Sequence, residues 1–512
     1  MKDKRDNILF FVFVLIGISV RLLAIDVLPS ALNCDEASSG YEAYSLLHYG
    51  IDRNGNHNPV FLVAWGGGQN ALLTYLILPF IKLFGLSALS VRLPMALLGC
   101  FSLFIFYFLL KKVSNRSLAL IGLLFLVLCP WHIMKSRWGL ESNFFPDMLL
   151  LFVFLFVYAL ESSKKSWYYL SFVVAGLSAY SYGTSYYFLP VFLIPLLFYY
   201  YKRKKISLKE GCFGIGIVFL VSLPVILYVV INTLGLQQIN LPFLTVPKLE
   251  VNRYQEITSI FSSAFFQKSI HNFSESLKIL VTQNDGLPWN SLRFYGTIYL
   301  FSSLFTLIGI ANSFKKKKWF DFKYDEVFKF WFIVGFILTF ICEPNINRLN
   351  LLMFPIIYYT VIGLYLTFLK FKKGSYLLLG VYLLSFGLFV NAYVHEDFNS
   401  YGTFEGDLKE VLEYVEASKK DVYVTNHIQS SYMHVLFHLE YDTRDFVRTV
   451  HYEDPHAAFK NVLSFGHYFF VDLQEIEFER DKIYVLKKED KDLIDFDNYP
   501  IKEFKRYFVI ET

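Results

Sequence analysis

The sequence predicts an α-helical polytopic membrane protein of about 11 transmembrane helices, with a small extracytoplasmic α/β domain at its C-terminus. Three observations predict it. Of 512 residues, 55% are hydrophobic, 19% aromatic and only 18% charged; soluble domains carry about 25% charged residues. Apolar runs near the ~20 residues needed to cross a bilayer recur along residues 1–394. Beyond residue 394 these runs stop, and helix-like and strand-like patterns alternate.

The spans are expected near 8–25, 89–110, 117–134, 143–160, 167–182, 184–201, 211–231, 295–313, 327–342, 349–369 and 375–394. The N-terminal run mimics a signal peptide, but no small-x-small cleavage site follows it cleanly, so it reads as an uncleaved first span. "LNC" at 32–34 is a poor lipoprotein signal. With the N-terminus inside, the cytoplasmic connections are "KKVSNR", "ESSKK", "YKRKK", "KKKKWFDFK" and "KFKK". Every one is basic, as the positive-inside rule requires. The first outside stretch, 26–70, holds one basic residue, Arg53. Net charge is +4, and its clustering between apolar runs signals topology and excludes a nucleic-acid partner.

The expected organisation is a membrane domain over 1–394, with extracytoplasmic loops at 26–88 and 232–294, followed by an extracytoplasmic domain over 395–512. Within the first loop, "ALLTYLILPFIKLFG" is apolar enough to be a span. Counting it as one would invert every later loop, so it reads as a helix lying in the outer interface. The aromatics Phe265, Phe266, Phe273 and Trp289 argue for structure in the second loop. In the tail, "DLKEVLEYVEASK" and "SSYMHVLFHL" read as helices, and "DVYVT", "GHYFFVDL" and "DKIYVLKK" as strands.

Candidate chemistry gathers on the outer side. "LNCDEASSGYEAYSLLHYG" places Asp35 and Glu36 directly after the first span. Ala37, Tyr41, Tyr44 and His48 follow at helical spacing, so the acids open an amphipathic helix at the membrane surface. The plain reading makes Asp35 its cap and lets Glu36 complement its dipole. "WHIMKSRWGLESNF" puts Lys135, Arg137 and Glu141 at the outer end of the third span, with Arg137 and Glu141 an i, i+4 pair if helical. "CEPNINRLNL" puts Glu343 and Arg348 at the mouth of the ninth and tenth spans. Arg21 and Arg92 lie inside spans, where each taken singly is expected to snorkel. Together, arginines beside carboxylates at one depth suit a lipid-linked phosphate, which Arg binds in a bidentate way.

Other candidates are weaker. Asn284-Asp285-Gly286 reads first as a turn, with substrate contact by Asp285 second. His57 and His271 are candidate ligands for a divalent metal together with the carboxylates. A Cys34–Cys342 disulfide is open on sequence alone. "WGGGQN" follows no strand, so it is no nucleotide signature.

The segments "DEASSGYEAYSLLHYG", "GLSALSVRLPMALLG", "PWHIMKSRWGLESN", "GLSAYSYGTSYYFLP" and "NINRLNLLMFPIIYYTVIGLYL" together resemble the GT-C glycosyltransferases. The pattern is most similar to the branch of protein O-mannosyltransferases and lipid A aminoarabinose transferases, and it covers most of 1–370. The oligosaccharyltransferase branch is disfavoured, since the tail has no "WWDxG"-type motif. The resemblance implies an inverting transfer of a sugar from a polyprenyl-phosphate carrier to an acceptor glycan, lipid or protein at the outer membrane face. It implies Asp35 and Glu36 as the catalytic acidic pair, Asp35 being the base, and Arg137 and Arg348 as donor-phosphate ligands. Tyr41, Glu141, Asp285 and Glu343 are candidate substrate contacts. A transporter or flippase of lipid-linked saccharides, or a polysaccharide polymerase, is the rival reading; a transporter should show repeat-related halves and polar groups at mid-membrane.

Overall fold

The computed structural model describes residues 2–64, 67–162, 164–251, 258–292, 294–395, 405–472, 478–493 and 499–512. Trp65 and Gly66 of "WGGGQN", and parts of the second loop and tail, lie outside the described residues. The chain divides into two compact units. The first comprises Met1–Leu23, Met95–Ile226 and Tyr254–Phe398; the second comprises Ala24–Pro94, Leu227–Arg253 and Asn399–Thr512.

Each apolar run expected to span carries a helix, from Lys2–Leu22 to Gly374–Val394. Among the described residues, five are long and apolar enough to cross a membrane: Ala88–Val113, Glu141–Glu161, Leu208–Leu234, Ile346–Lys370 and Gly374–Val394. The pair Arg116–Leu128 and Pro130–Ser136, bent by 60°, would make a sixth. Of the five remaining runs, four fall short by charge or length, and the fifth, Ser185–Lys202, carries two prolines and a tyrosine-rich end. Lys2–Leu22 carries charges at both ends, and Lys165–Ser178, Ser303–Phe314 and Asp325–Leu338 have only 14, 12 and 14 residues.

Within the first unit, Ser303–Phe314 packs on Met353–Lys370 with almost no space between backbones. A Cβ on Gly309 would strike the Tyr359 carbonyl, and one on Gly363 would strike that of Phe305. Small residues are how helices approach closely where lipid offers no hydrophobic drive. Phe265–Thr282 is a helix inside the second loop. Its exposed Phe266, Ile270, Leu277 and Val281 form an apolar stripe, as an interfacial helix presents.

In the second unit, the helix Leu72–Phe84 buries Leu73, Ile77 and Ile81 and exposes Leu76, Leu83 and Phe84. This one-sided burial fits the interfacial reading. Two short hairpins, β1 (Phe61–Leu62) with β2 (Gln69–Asn70) and β3 (Ile239–Leu241) with β4 (Leu244–Val246), meet where Val60 donates to the Thr245 carbonyl at 3.0 Å. The tail forms a seven-stranded mixed sheet. Its strands are β5 (Asp421–Thr425), β6 (His451–Tyr452), β7 (Val462–Phe465), β8 (Tyr468–Val471), β9 (Lys482–Lys487), β10 (Ile501–Glu503) and β11 (Tyr507–Glu511), in the order β10-β11-β9-β5-β8-β7-β6. β5 is central and parallel to both β8 and β9. The helix Leu408–Glu416 buries Leu408, Val411, Leu412 and Val415, the stripe its period dictates.

All five cysteines are free thiols, so the Cys34–Cys342 disulfide does not form.

Candidate active site

The acidic pair opens the helix Cys34–Tyr49 of the second unit. Its cap is Asn33, not Asp35. The Asn33 side chain accepts from the backbone N–H of Asp35 at 2.9 Å and of Glu36 at 3.1 Å. Glu36 Oε2 accepts from the Asn33 N–H at 3.4 Å, which completes a capping box. The cap reading of Asp35 is thereby corrected: the N-cap position lies two residues earlier. Asn33 three residues before Glu36 was the sequence signal for it.

Glu36 is fully buried. Arg92 Nε donates to Glu36 Oε1 at 2.8 Å, and Arg92 Nη2 to Oε2 at 3.0 Å. This is the fork-to-fork geometry that suits Arg and carboxylate. Arg92 Nη1 also donates to the carbonyls of Ile25 at 3.0 Å and Pro29 at 2.9 Å, and Nη2 donates to that of Ala31. Five N–H groups meet five acceptors. Arg92 therefore does not snorkel; it pins residues 25–31 to the start of the acidic helix. Asp35, one residue earlier, is half-buried. Gln69 Nε2 lies 3.5 Å from its Oδ1 and 3.4 Å from its carbonyl.

Tyr41, Tyr44 and His48 share a face as their spacing predicts, with ring centroids 6.2 Å apart for Tyr41–Tyr44 and 4.3 Å for Tyr44–His48. That face is covered at its Tyr41 end and exposed at His48. Tyr41 is fully buried; its hydroxyl donates to the Tyr441 carbonyl at 2.8 Å and lies 3.0 Å from Thr443 Oγ1. Eleven of the helix's 16 residues are buried, and the tail covers the tyrosine side through residues 440–443. Farther along, Glu42 is fully buried beside Arg53, with Nε 3.1 Å from Oε1. Burial pushes the Glu42 carboxyl up to about 7, against the pull of Arg53.

The first unit holds the other expected residues. Arg137 ends the helix Pro130–Ser136, and the backbone is not helical through residue 140, so helical i, i+4 pairing with Glu141 does not arise. Arg137 is buried, donates to the Val20 carbonyl at 2.9 Å and lies 5.8 Å from the Tyr393 ring centroid. Arg348 pairs with Glu343 at 3.0 Å, and the buried Tyr182 hydroxyl lies within the electrostatic reach of both Arg348 and Glu141. Asp285 forms the expected turn, accepting from the Leu287 N–H at 3.0 Å. It also accepts from the Ile346 N–H at 2.8 Å and so fixes the short helix that carries Arg348. Asp285, Glu343, Arg348 and, through Tyr182, Glu141 thus form one neighbourhood.

One buried cluster escaped sequence reasoning. Arg21, fully buried, donates from Nε to His132 Nδ1 at 3.1 Å and to the carbonyls of Gly17 and Leu126 at 2.9 Å each. It too does not snorkel. His132 Nε2 lies 3.7 Å from Asp147 Oδ1; Lys135 forms an ion pair with Asp147, and Ser102 donates to it at 2.6 Å. An acid inside an apolar run was the available signal.

For the metal reading, His57 Nδ1 lies 3.0 Å from the Gly50 carbonyl and His271 is exposed. Among the described residues, no group of three or more His, Cys, Asp or Glu is placed to hold a metal ion.

Residues 71–228 match the family model described as dolichyl-phosphate-mannose-protein mannosyltransferase. That stretch includes Arg92, Arg137 and Glu141 but begins after Asp35. No curated protein matches the chain in sequence. Among solved structures, ArnT from Cupriavidus metallidurans bound to undecaprenyl phosphate superposes with a TM-score of 0.60 at 10% identity, over 98% of this chain and 97% of that one. The chain has the GT-C fold. The archaeal oligosaccharyltransferase AglB from Archaeoglobus fulgidus, in complex with an inhibitory peptide and a dolichol-phosphate, shares this GT-C architecture less closely. Its TM-score is 0.51 at 12% identity, over 85% of this chain and 64% of that one. With its apolar helices, this chain is a multi-pass membrane protein.

Proposed function

We propose that this protein is an inverting glycosyltransferase that moves a sugar from a polyprenyl-phosphate carrier to an acceptor hydroxyl at the outer membrane face. The observation that carries the reading is the half-buried Asp35 at the start of a helix locked by Asn33, Glu36 and Arg92, in a chain with the GT-C fold along nearly its whole length. The fold match includes a protein bound to undecaprenyl phosphate. The basic connections on the opposite side favour an outer-face site with the N-terminus inside.

Asp35 takes the acceptor hydroxyl's proton as its oxygen attacks the anomeric carbon. The new C–O bond forms on one face while the bond to phosphate breaks on the other, and the carrier leaves as the polyprenyl phosphate. A positioned base of this kind contributes about 10²–10⁴-fold. Arg137 and Arg348 bind the donor phosphate and stabilise the charge growing on it. Glu36 acts on Asp35 through the helix start, by holding Arg92. Glu141, Glu343 and Asp285 shape the neighbourhood of Arg348. Neither the transporter nor the polymerase reading has an observation in its favour.

The test is transfer from a panel of radiolabelled polyprenyl-phosphate sugars in membranes, which also separates hexose from pentose donors. Asp35→Asn abolishes transfer, while the protein stays folded and still binds donor. Full activity in that variant removes Asp35 from the mechanism. Arg348→Ala weakens donor binding more than acceptor binding; equal loss of both would end its phosphate role.

A further inference from the structure

The second unit contains a cavity of about 710 Å³ that the transfer chemistry does not use. It sits at the carboxyl ends of β5 and β8. The topology explains why. β5 is central, and its parallel neighbours β8 and β9 lie on opposite sides of it. The carboxyl ends of parallel strands are where α/β sheets bind ligands. The volume is within the roughly 300–1,000 Å³ of small-ligand sites.

The lining fixes the ligand's chemistry. Asn426, Gln429 and Ser430 come from the turn after β5, Phe459 and Asn461 from the approach to β7, and Asp472 from the end of β8. Asn426, Gln429, Phe459 and Asn461 are exposed, so a ligand can reach them. Glu453 Oε2 accepts from Asn461 Nδ2 at 2.9 Å, which sets the orientation of that amide. Planar amides and carboxylates beside aromatic rings suit a molecule with hydroxyls at its edge and C–H groups on its face. A phosphate or nucleotide suits it poorly. Among the described residues no arginine lines the cavity, and its one lysine, Lys460, is outnumbered by two carboxylates, Glu453 and Asp472. The turn Asn426–Ser430 contains no glycine to bring backbone N–H groups against a phosphate.

We infer that this cavity binds a neutral saccharide, and that in the transferase it holds the acceptor glycan. The second clause rests on the proposed function; the first does not. The cavity is tied to the acidic helix within the same unit. Tyr432 lines it and lies in the electrostatic field of Arg53, which pairs with Glu42 seven residues after Asp35. The helix Ser431–His438 rises from the cavity and packs on the acidic helix where a Cβ on Gly40 would meet the Phe437 ring.

The full-length protein in detergent is exposed to an array of neutral gluco- and manno-oligosaccharides, with sialylated oligosaccharides, a sugar nucleotide and inorganic phosphate as anionic probes. Neutral probes bind, and Phe459→Ala and Asn461→Ala, both surface changes, each weaken that binding about tenfold or more. In the transfer assay the same variants raise the acceptor KM and leave donor binding unchanged. Binding of anionic probes alone, binding of no neutral probe, or binding indifferent to both substitutions overturns the inference. Asp35→Asn separates the two claims. It binds the neutral probe as the unaltered protein does, yet does not transfer. If it transfers normally while the cavity variants still lose the saccharide, the transferase role of Asp35 fails and the cavity stands.

Discussion

A buried charge network in the first unit and another in the second end differently. In the first unit Arg21, His132, Lys135 and Asp147 answer one another, with Ser102 and backbone carbonyls taking up remaining bonds. All are buried. In the second unit Glu36 and Arg92 are equally enclosed, but the carboxylate just before Glu36, Asp35, is half-buried. The closed network has no reach beyond itself, so it holds shape. The open one places a reachable acid against a rigid support, which is what proton abstraction needs.

The comparison breaks most visibly in the first unit. Lys135→Ala leaves Asp147 as a buried carboxylate without its cation, a loss of about 3–5 kcal/mol. Thermal unfolding in detergent should show it, and Lys135→Met with Asp147→Leu should recover much of it. Equal stability in the single and double variants would dismiss the coupling. In the second unit, Arg92→Lys offers three donors where five are used and costs about 3 kcal/mol or more. It should also lower transfer without changing donor affinity, because the loss acts through the acidic helix. A changed donor affinity would instead give Arg92 a direct part in substrate binding.

Smaller effects sharpen the same contrast. Asn33→Ala removes the cap at about 1 kcal/mol, and hydrogen exchange should show the loss confined to the first turn of Cys34–Tyr49. Glu42 supplies a pH test. Its folded value lies near 7, above the ordinary 4.5. The fold therefore favours its protonated form, a contribution full below about 4.5 and lost as pH rises through about 7. The stability of Glu42→Gln relative to the unaltered protein should shift in the variant's favour across that window. A difference constant from pH 4 to 8 would mean that Glu42 does not titrate there.

Much of the fold was legible in the sequence, because apolar runs and helical period report on burial directly. The tail helix Leu408–Glu416 and strands β5, β8 and β9 also followed from pattern alone. The strands β6, β7, β10 and β11 were not read, being short or paired only through long-range register. The site was legible at Asp35 and Glu36 as residues but not as roles. Arg92 meets Glu36 across 56 positions and Arg21 meets His132 across 111, and nothing local announces such partners. Hence two arginines read as headgroup-seeking are core ions. The tyrosine face was read correctly in period and wrongly in partner, since its cover comes from residues 440–443.

The bend between Arg116–Leu128 and Pro130–Ser136 bears on how the chain is made. A break in a span frees carbonyls that hydrocarbon cannot solvate. Here the Leu126 carbonyl is taken by Arg21 and the Leu128 carbonyl by the Tyr299 hydroxyl at 2.9 Å. Synthesis delivers Arg21 first, the bent pair next and Tyr299 much later. The first helix therefore enters the bilayer with a cation that has only the Gly17 carbonyl of its own helix as an acceptor, and the bent pair waits with one carbonyl unmet until the eighth apolar run arrives. Insertion of this protein is a sequence of debts settled by later segments, and a truncation before Tyr299 should be held by the insertion machinery rather than released.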